Sequence, residues 1–139
     1  MDTEIVDIAR NWLGTPYIHQ ASLKGIGCDC LGLLRGVNRE LRGIEAEDPP
    51  PYSADWAEAT GAETLYMALA RHLTALDPKD LAPGDVALFR MARSSPAKHC
   101  GIIGESNRTL TLIHARQSRR VSEEPLAPWR PKLAYAFRL

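Results

Sequence analysis

The 139-residue sequence is short of several things, and each shortage removes a class of protein. Lysine plus arginine and aspartate plus glutamate number 17 each, so the formal net charge is zero. No global field therefore draws the chain onto nucleic acid or an anionic membrane. The local basic cluster of Arg116, Arg119 and Arg120 reads as a solvated surface segment. No apolar stretch approaches the ~20 residues that span a bilayer, so membrane insertion is not expected. Three cysteines, an odd number, do not make the disulfide framework of a small secreted domain, and each has to be explained as a thiol. The opening "MDTEIVDIARNW" carries acids and a helical pattern in place of the basic start and apolar run of a secretory signal. Synthesis in the cytoplasm without a signal peptide is the expectation.

What is present suits one globular unit. A hydrophobic content of 45% at this length is enough to bury a core, so a single domain over 1–139 is expected, without internal repeats or a linker. Ile5, Ile8, Ala9, Trp12 and Leu13 fall at helical spacing, with Asp2 or Thr3 as caps and Gly14 as the stop. Loop composition follows in "GTPYIHQASLKGIG". A second helix is predicted where Cys30, Leu33, Leu34, Val37 and Leu41 share a face, capped by Asp29 and ended by Gly43. The run "EAEDPPPYSADW", with Pro49, Pro50 and Pro51, reads as an acidic surface excursion. Ala62, Leu65, Tyr66, Leu69, Leu73 and Leu76 then predict a third helix. Beyond Pro78 the pattern changes to short runs: "DVALFRM", "KHCGIIGE", "TLTLIHA" and "LAYAFRL" read as strands, separated by "RSSPA", "SNR" and "EEPLAPWRP". Helices first and strands later predict an α+β fold, an antiparallel sheet covered by helices.

Residues 25–34, "GIGCDCLGLL", set two cysteines two apart where a glycine-rich loop becomes a helix. A thiol there can be a metal ligand, half of a disulfide, a buried filler or a nucleophile. A nucleophilic thiol works as thiolate, and a helix N-terminus stabilises that anion through unpaired N–H groups and the macrodipole. Cys30 has that position, whereas Cys28 lies before the cap. Such a cysteine also needs an imidazole within hydrogen-bond reach and a third group to orient the ring. His99 opens one predicted strand, and His114 lies near the end of the next, on a face with Leu110 and Leu112. If these strands pair through the "SNR" turn, both imidazoles sit near one end of the sheet, where a helix can present Cys30 to them. Read instead as a zinc set, Cys28, Cys30, His99 and Cys100 lack the usual cysteine spacing, and adjacent strand residues His99 and Cys100 point to opposite faces. No metal is expected.

"WLGTPYIHQ", "GCDCLGLLRGV", "LAPGDVALFR", "KHCGIIGE" and "LIHA", in this order, resemble the NlpC/P60 family of cysteine peptidases over nearly the whole chain. The likeness is greatest to the branch encoded by tailed phages and phage-like gene transfer particles. The resemblance implies a papain-like α+β fold with the nucleophile at a helix start, packed on a small antiparallel sheet. Residue by residue it implies Cys30 as nucleophile, His99 as base, His114 as the third polar residue, and Tyr17 beside the nucleophile as an aid to the oxyanion site. Two positions depart from the common pattern: Leu31 stands where serine is widespread, although the phage-type branch often carries leucine there, and Cys100 stands where valine or another small residue is commoner.

The remaining candidates have plainer readings. Cys28 is expected to be a loop or supporting residue, with a regulatory disulfide as the alternative. Cys100 is expected in the core, on the sheet face away from the site. His72 reads as a packing or surface residue of the third helix. His19, in the loop ahead of the nucleophile, is a candidate for the substrate cleft. Asp29 is a cap that can also meet a substrate amine. Gly84 and Asp85 read as a structural turn. The resemblance implies hydrolysis of peptidoglycan stem peptides, typically between D-glutamate and a diamino acid, without a cofactor. It further implies incorporation in a phage-like particle tail, with other tail or hub proteins as partners, and action on the cell wall. The alternatives are a non-enzymatic tail component of the same fold, or an amidase or acyltransferase on another substrate.

Overall fold

Apolar spacing selects the helices, and local backbone geometry decides where they stop. The computed structural model describes residues 3–43 and 63–139. Asp2, Ala62 and the proline-rich excursion lie outside these. Helix α1, Thr3–Arg10, buries Ile5, Val6 and Ala9. It ends before Trp12 and Leu13, which the periodicity had assigned to it, because Gly14 takes φ 88° and donates its N–H to Val121 O at 2.9 Å. Trp12 is still buried at 1% exposure, but Leu13 is 42% exposed and does not belong to the core face.

The strands β1, Ser22–Leu23, and β2, Gly27–Cys28, form a short antiparallel hairpin before helix α2, Cys30–Arg42. Asp29 caps α2, accepting from Gly32 N at 2.7 Å, and Gly43 ends it at φ 80° with its N–H on Arg39 O. Gly36 of α2 leaves room for the indole of Trp12, in the turn just after α1: a Cβ there would lie 2.1 Å from Trp12 Cζ2. The loop ahead of α2 is pinned to it in the same manner. A Cβ on Gly32 would lie 1.8 Å from Ala21 O, and Ser22 Oγ donates to Gly32 O at 2.6 Å.

Helix α3, Thr64–Ala70, is shorter than its apolar spacing predicts. It closes with Leu73 N on Leu69 O at 2.8 Å, and Leu76 belongs instead to strand β3, Thr74–Leu76, opposite Ala136. Positions 74 and 76 share a strand face as readily as 69, 73 and 76 share a helix face, and pairing with the sheet decides between them. Strands β4, Asp85–Phe89; β5, His99–Ser106; β6, Thr109–His114; β7, Ser122–Pro125; and β8, Leu133–Arg138 complete an antiparallel sheet of order β3-β8-β4-β5-β6-β7. The "SNR" turn joins β5 to β6 with Asn107 at φ 51° and Arg108 at φ 65°, a two-residue loop whose positive φ values match strand twist. Strand β7 was hidden in a segment read as a separator. It is an edge strand of "SEEP", with no apolar alternation to announce it. Gly84, at φ 95°, and Asp85, whose Oδ2 accepts from Ala82 N at 2.9 Å, form the expected turn into β4.

Alternation along the strands separates two apolar layers. Val86, Leu88, Cys100, Ile102, Ile113 and Phe137 pack with the helices, while Ala87, Phe89, Ile103, Leu112 and Ala136 pack on the other face with Leu126 and Trp129. Trp129 belongs to a 3-10 helix, Ala127–Lys132. Helices on one face of an antiparallel sheet make the fold α+β, as predicted. Among the described residues no helix is long and apolar enough to cross a membrane.

Candidate active site

Cys30 is the first residue of α2, so its sulfur lies at the end of a 13-residue helix where the first-turn amides have no intrahelical acceptor. The helix packs with this end against β5. The Cys100 thiol donates to Cys30 O at 3.4 Å, and the Cys30 sulfur stands 3.7 Å from Lys98 O. A hydrogen bond from Cys100, and then the hydrogen bond and charge of His99, hold the Cys30 thiol well below its ordinary pKa, against burial that raises it. The Cys100 thiol is pushed well above its ordinary value by the same hydrogen bond and by burial. The expectation that Cys100 lies away from the site is therefore corrected. It does point opposite to His99, but it points toward the helix layer, and that layer carries the nucleophile candidate.

The two histidines come from the other face and meet Cys30 around the end of the sheet. His99 Nε2 and His114 Nδ1 are 2.8 Å apart. The register Ile102↔Ile113 puts Gly101 opposite His114, and Gly101 keeps that place clear: a Cβ there would lie 3.0 Å from His114 Cβ and 2.6 Å from Leu112 Cδ1. Because Nε2 of His99 is turned to His114, the ring nitrogen left to face the Cys30 thiol is Nδ1. His114 is fully buried, and burial, partly offset by the Glu124 hydrogen bond, lowers its pKa to about 4, so it is neutral at pH 7.

Two neighbours of this pair escaped the sequence reading. Glu124 Oε2 lies 2.8 Å from His114 Nε2, and Glu124 Oε1 accepts from Trp129 Nε1 at 3.1 Å. The Trp129 ring stacks on His99, with centroids 5.4 Å apart and planes at 28°, and meets His114 edge-on at 4.9 Å. Both sit in the stretch read as a separator. The available signal was weak: a third strand following the predicted hairpin sets Glu124 across from Leu112, on the strand face that also carries His114.

A cavity of about 370 Å³ opens over Cys30 and His99, and Tyr17, His19, Lys98 and Arg116 are among its lining residues. Burial, then the charges of Cys30, Asp29 and Cys28, push the Tyr17 phenol up to about 12, so it stays a hydrogen-bond donor. Asp29 faces the cavity, but Gly32 N and Gln20 N, each at 2.7 Å, occupy its two oxygens, which makes capping its structural role. His19 Nδ1 stands 3.9 Å from Asp29 Oδ2 at the cleft edge. Cys28 is fully buried, and burial, then the charges of Asp29 and Cys30, push its thiol up to about 12. His72 is exposed just past α3. Chemically, this arrangement sets a thiol of lowered pKa beside an imidazole and at a helix N-terminus, which is the equipment for acyl transfer.

The chain has the NlpC/P60 fold. The NlpC/p60 domain of peptidoglycan hydrolase SagA aligns over 99% of this chain and 97% of that one, with TM-score 0.69 and 20% identity. An NlpC/P60 family protein from Bacillus cereus gives TM-score 0.68 and 21% identity over 98% of this chain and 39% of that one. NlpC2 from Trichomonas vaginalis gives TM-score 0.68 and 21% identity over 96% and 44%. Among curated proteins the chain is similar to gamma-DL-glutamyl hydrolase of Bacillus subtilis (strain 168), at 28% identity over 134 residues. The match takes in 95% of this chain and 28% of the length of that relative. No protein-family model matches the chain.

Proposed function

We propose that the chain is a cysteine endopeptidase that hydrolyses peptidoglycan stem peptides at the bond between D-glutamate and a diamino acid. The observation that carries this is the convergence of a low-pKa Cys30, at a helix N-terminus, with His99 and His114 under an open cavity. Support for the substrate comes from the similarity to a protein named gamma-DL-glutamyl hydrolase and from a cleft lined by Lys98 and Arg116, cations suited to a carboxylate-bearing peptide.

The Cys30 thiolate attacks the amide carbonyl, with His99 as imidazolium beside it. The oxyanion is received by the Cys30 N–H at the start of α2 and by the Tyr17 hydroxyl. His99 gives its Nδ1 proton to the leaving amine as the carbon–nitrogen bond breaks, leaving a thioester on Cys30. His99 then takes a proton from water, whose oxygen attacks the thioester, and the carboxylic product departs as the sulfur recovers its charge. His19 lies at the rim for substrate contact, and Asp29 holds the loop and helix that frame the site. We further propose that the protein is made in the cytoplasm, is carried in a phage-like tail with hub partners, and reaches the wall from there. The order of its motifs and Leu31 after the nucleophile support that assignment.

Release of stem-peptide fragments from purified peptidoglycan, read by mass spectrometry, tests the activity. Wild type and Cys28→Ala are expected to cut and Cys30→Ala not to, with fragment masses naming the bond. Folded wild type that releases nothing overturns the hydrolase function of the isolated chain. Cutting by Cys30→Ala overturns the nucleophile. Recovery of the chain with purified tail particles tests its location, and its absence from them overturns that part.

A further inference from the structure

We infer that Glu124 is a positioning residue, which selects the tautomers of His114 and His99 through its carboxylate and so aims a bare nitrogen at Cys30. This role rests on the hydrolase function proposed above and follows from which atoms can donate and which can only accept. Glu124 places one oxygen 2.8 Å from His114 Nε2 and the other 3.1 Å from Trp129 Nε1. An indole N–H can only donate, and an ionised carboxylate can only accept. Both oxygens therefore act as acceptors, and His114 carries its proton on Nε2. Its Nδ1 is then bare and accepts from His99 Nε2 at 2.8 Å. With its proton on Nε2, neutral His99 presents a lone pair on Nδ1, the nitrogen that faces the Cys30 thiol. When the thiol proton moves to Nδ1, His99 keeps its bond to His114, and no proton passes to His114 or Glu124.

Without the carboxylate this order is not enforced. A proton on His114 Nδ1 would meet the His99 Nε2 proton head-on, so His99 would shift its own proton to Nδ1 and offer Cys30 a donor in place of a base. Glutamine cannot substitute. It has one oxygen and one NH₂ where the site presents two donors, the His114 and Trp129 N–H groups. The titratable and charged groups around the pair are few. His99 and Arg116 face His114 with Glu124, and Arg116 Nη1 is 3.9 Å from Glu124 Oε2. Cys30 is faced by His99 and Cys100, and its charge is felt at Tyr17 and Cys28.

The experiment uses the full chain and needs no substrate. Histidine tautomers are read from ¹⁵N shifts of the ring nitrogens, and Cys30 reactivity from the pH profile of iodoacetamide alkylation, with the adduct located by peptide mass. Wild type, Glu124→Gln, Glu124→Ala and each of these in a His114→Gln background are compared, with amide spectra as the folding control. Wild-type His114 is expected as the neutral Nε2–H form. Glu124→Gln and Glu124→Ala are expected to lose that form and to move the Cys30 alkylation profile about one pH unit upward, about tenfold slower on its acid limb. In the His114→Gln background the Glu124 substitutions are expected to change alkylation by less than about twofold. An unchanged tautomer and overlaid profiles in Glu124→Ala overturn the inference. An equal slowing with and without His114 also overturns it, since Glu124 then acts as a through-space charge. Because these readouts need no cleavage, a chain that cuts no wall yet shows the Glu124 effect refutes the proposed function alone.

Discussion

Acidification from pH 7 to pH 4 is expected to destabilise the protein through His114. Its side chain is fully buried between His99 and Glu124. Burial pulls its pKa down, the Glu124 hydrogen bond works the other way, and the result is about 4 against about 6.5 in an unfolded chain. Above pH 6.5 neither state binds the proton, and the contribution to stability is fully present. Between 6.5 and 4 the unfolded chain takes up a proton that the folded chain refuses, so stability falls as pH falls. At about 1.4 kcal/mol per pKa unit the loss reaches about 3 kcal/mol by pH 4, then levels off. Against a typical domain stability of about 5–15 kcal/mol this is a large share, and it corresponds to roughly 10 °C in Tm. Glu124, whose carboxyl is lowered by its bonds to His114 and Trp129 against an opposing burial effect, contributes stability that fades only below the ordinary carboxyl range. Urea midpoints at pH 7.5, 6, 5 and 4 give the slope, compared with His114→Gln, which should be less stable at pH 7.5 but should lack this acid-linked loss. Equal slopes in the two proteins would refute a neutral buried His114.

Two further substitutions probe the frame. Gly36→Ala gains about 1 kcal/mol of helix propensity, but its Cβ would stand 2.1 Å from the buried Trp12 ring, so a net loss of about 1–3 kcal/mol is expected in thermal melts; a stabilised protein would mean that the Trp12 indole does not pack on Gly36 as described. Asp29→Ala strips the acceptors from Gly32 N and Gln20 N, and should cost about 2–4 kcal/mol and slow alkylation of Cys30; unchanged alkylation would show that the cap does not support the thiolate.

Local chemistry made part of this legible in the sequence. Helix α2 runs between a side-chain cap and a left-handed glycine, both of which act within a turn of their own position. The β5–β6 hairpin has a two-residue loop, so its register follows from the turn, and that register brings His99 to His114. What stayed hidden depends on partners far along the chain. Strand β7 is an edge of charged residues that acquires its conformation by pairing with β6, so Glu124 acquires meaning only once His114↔Ser122 is known. Leu76 fits either a helical or a strand period, and β8 chooses. The place of Cys100 needed the docking of α2 onto β5, since strand alternation states which face it takes and not what covers that face.

The two cysteines that stand two apart show how little sequence separates opposite chemistries. Cys28 has its N–H on Pro16 O at 3.0 Å and its C=O accepting from Ile18 N at 3.1 Å, which stitches it into buried strand-like backbone. With its thiol pushed up to about 12, the thiolate fraction at pH 7 is on the order of one in 10⁵. One carboxylate works on both residues. Asp29 disfavours charge on Cys28 by proximity, while the same side chain caps the helix that carries Cys30 at its first position. Moving the thiol from before the cap to after it exchanges a repelling neighbour for an attracting one, and the imidazole array at the sheet end stands only where the second position points. A nucleophile at position 28 would therefore need a different helix start as well as a different histidine.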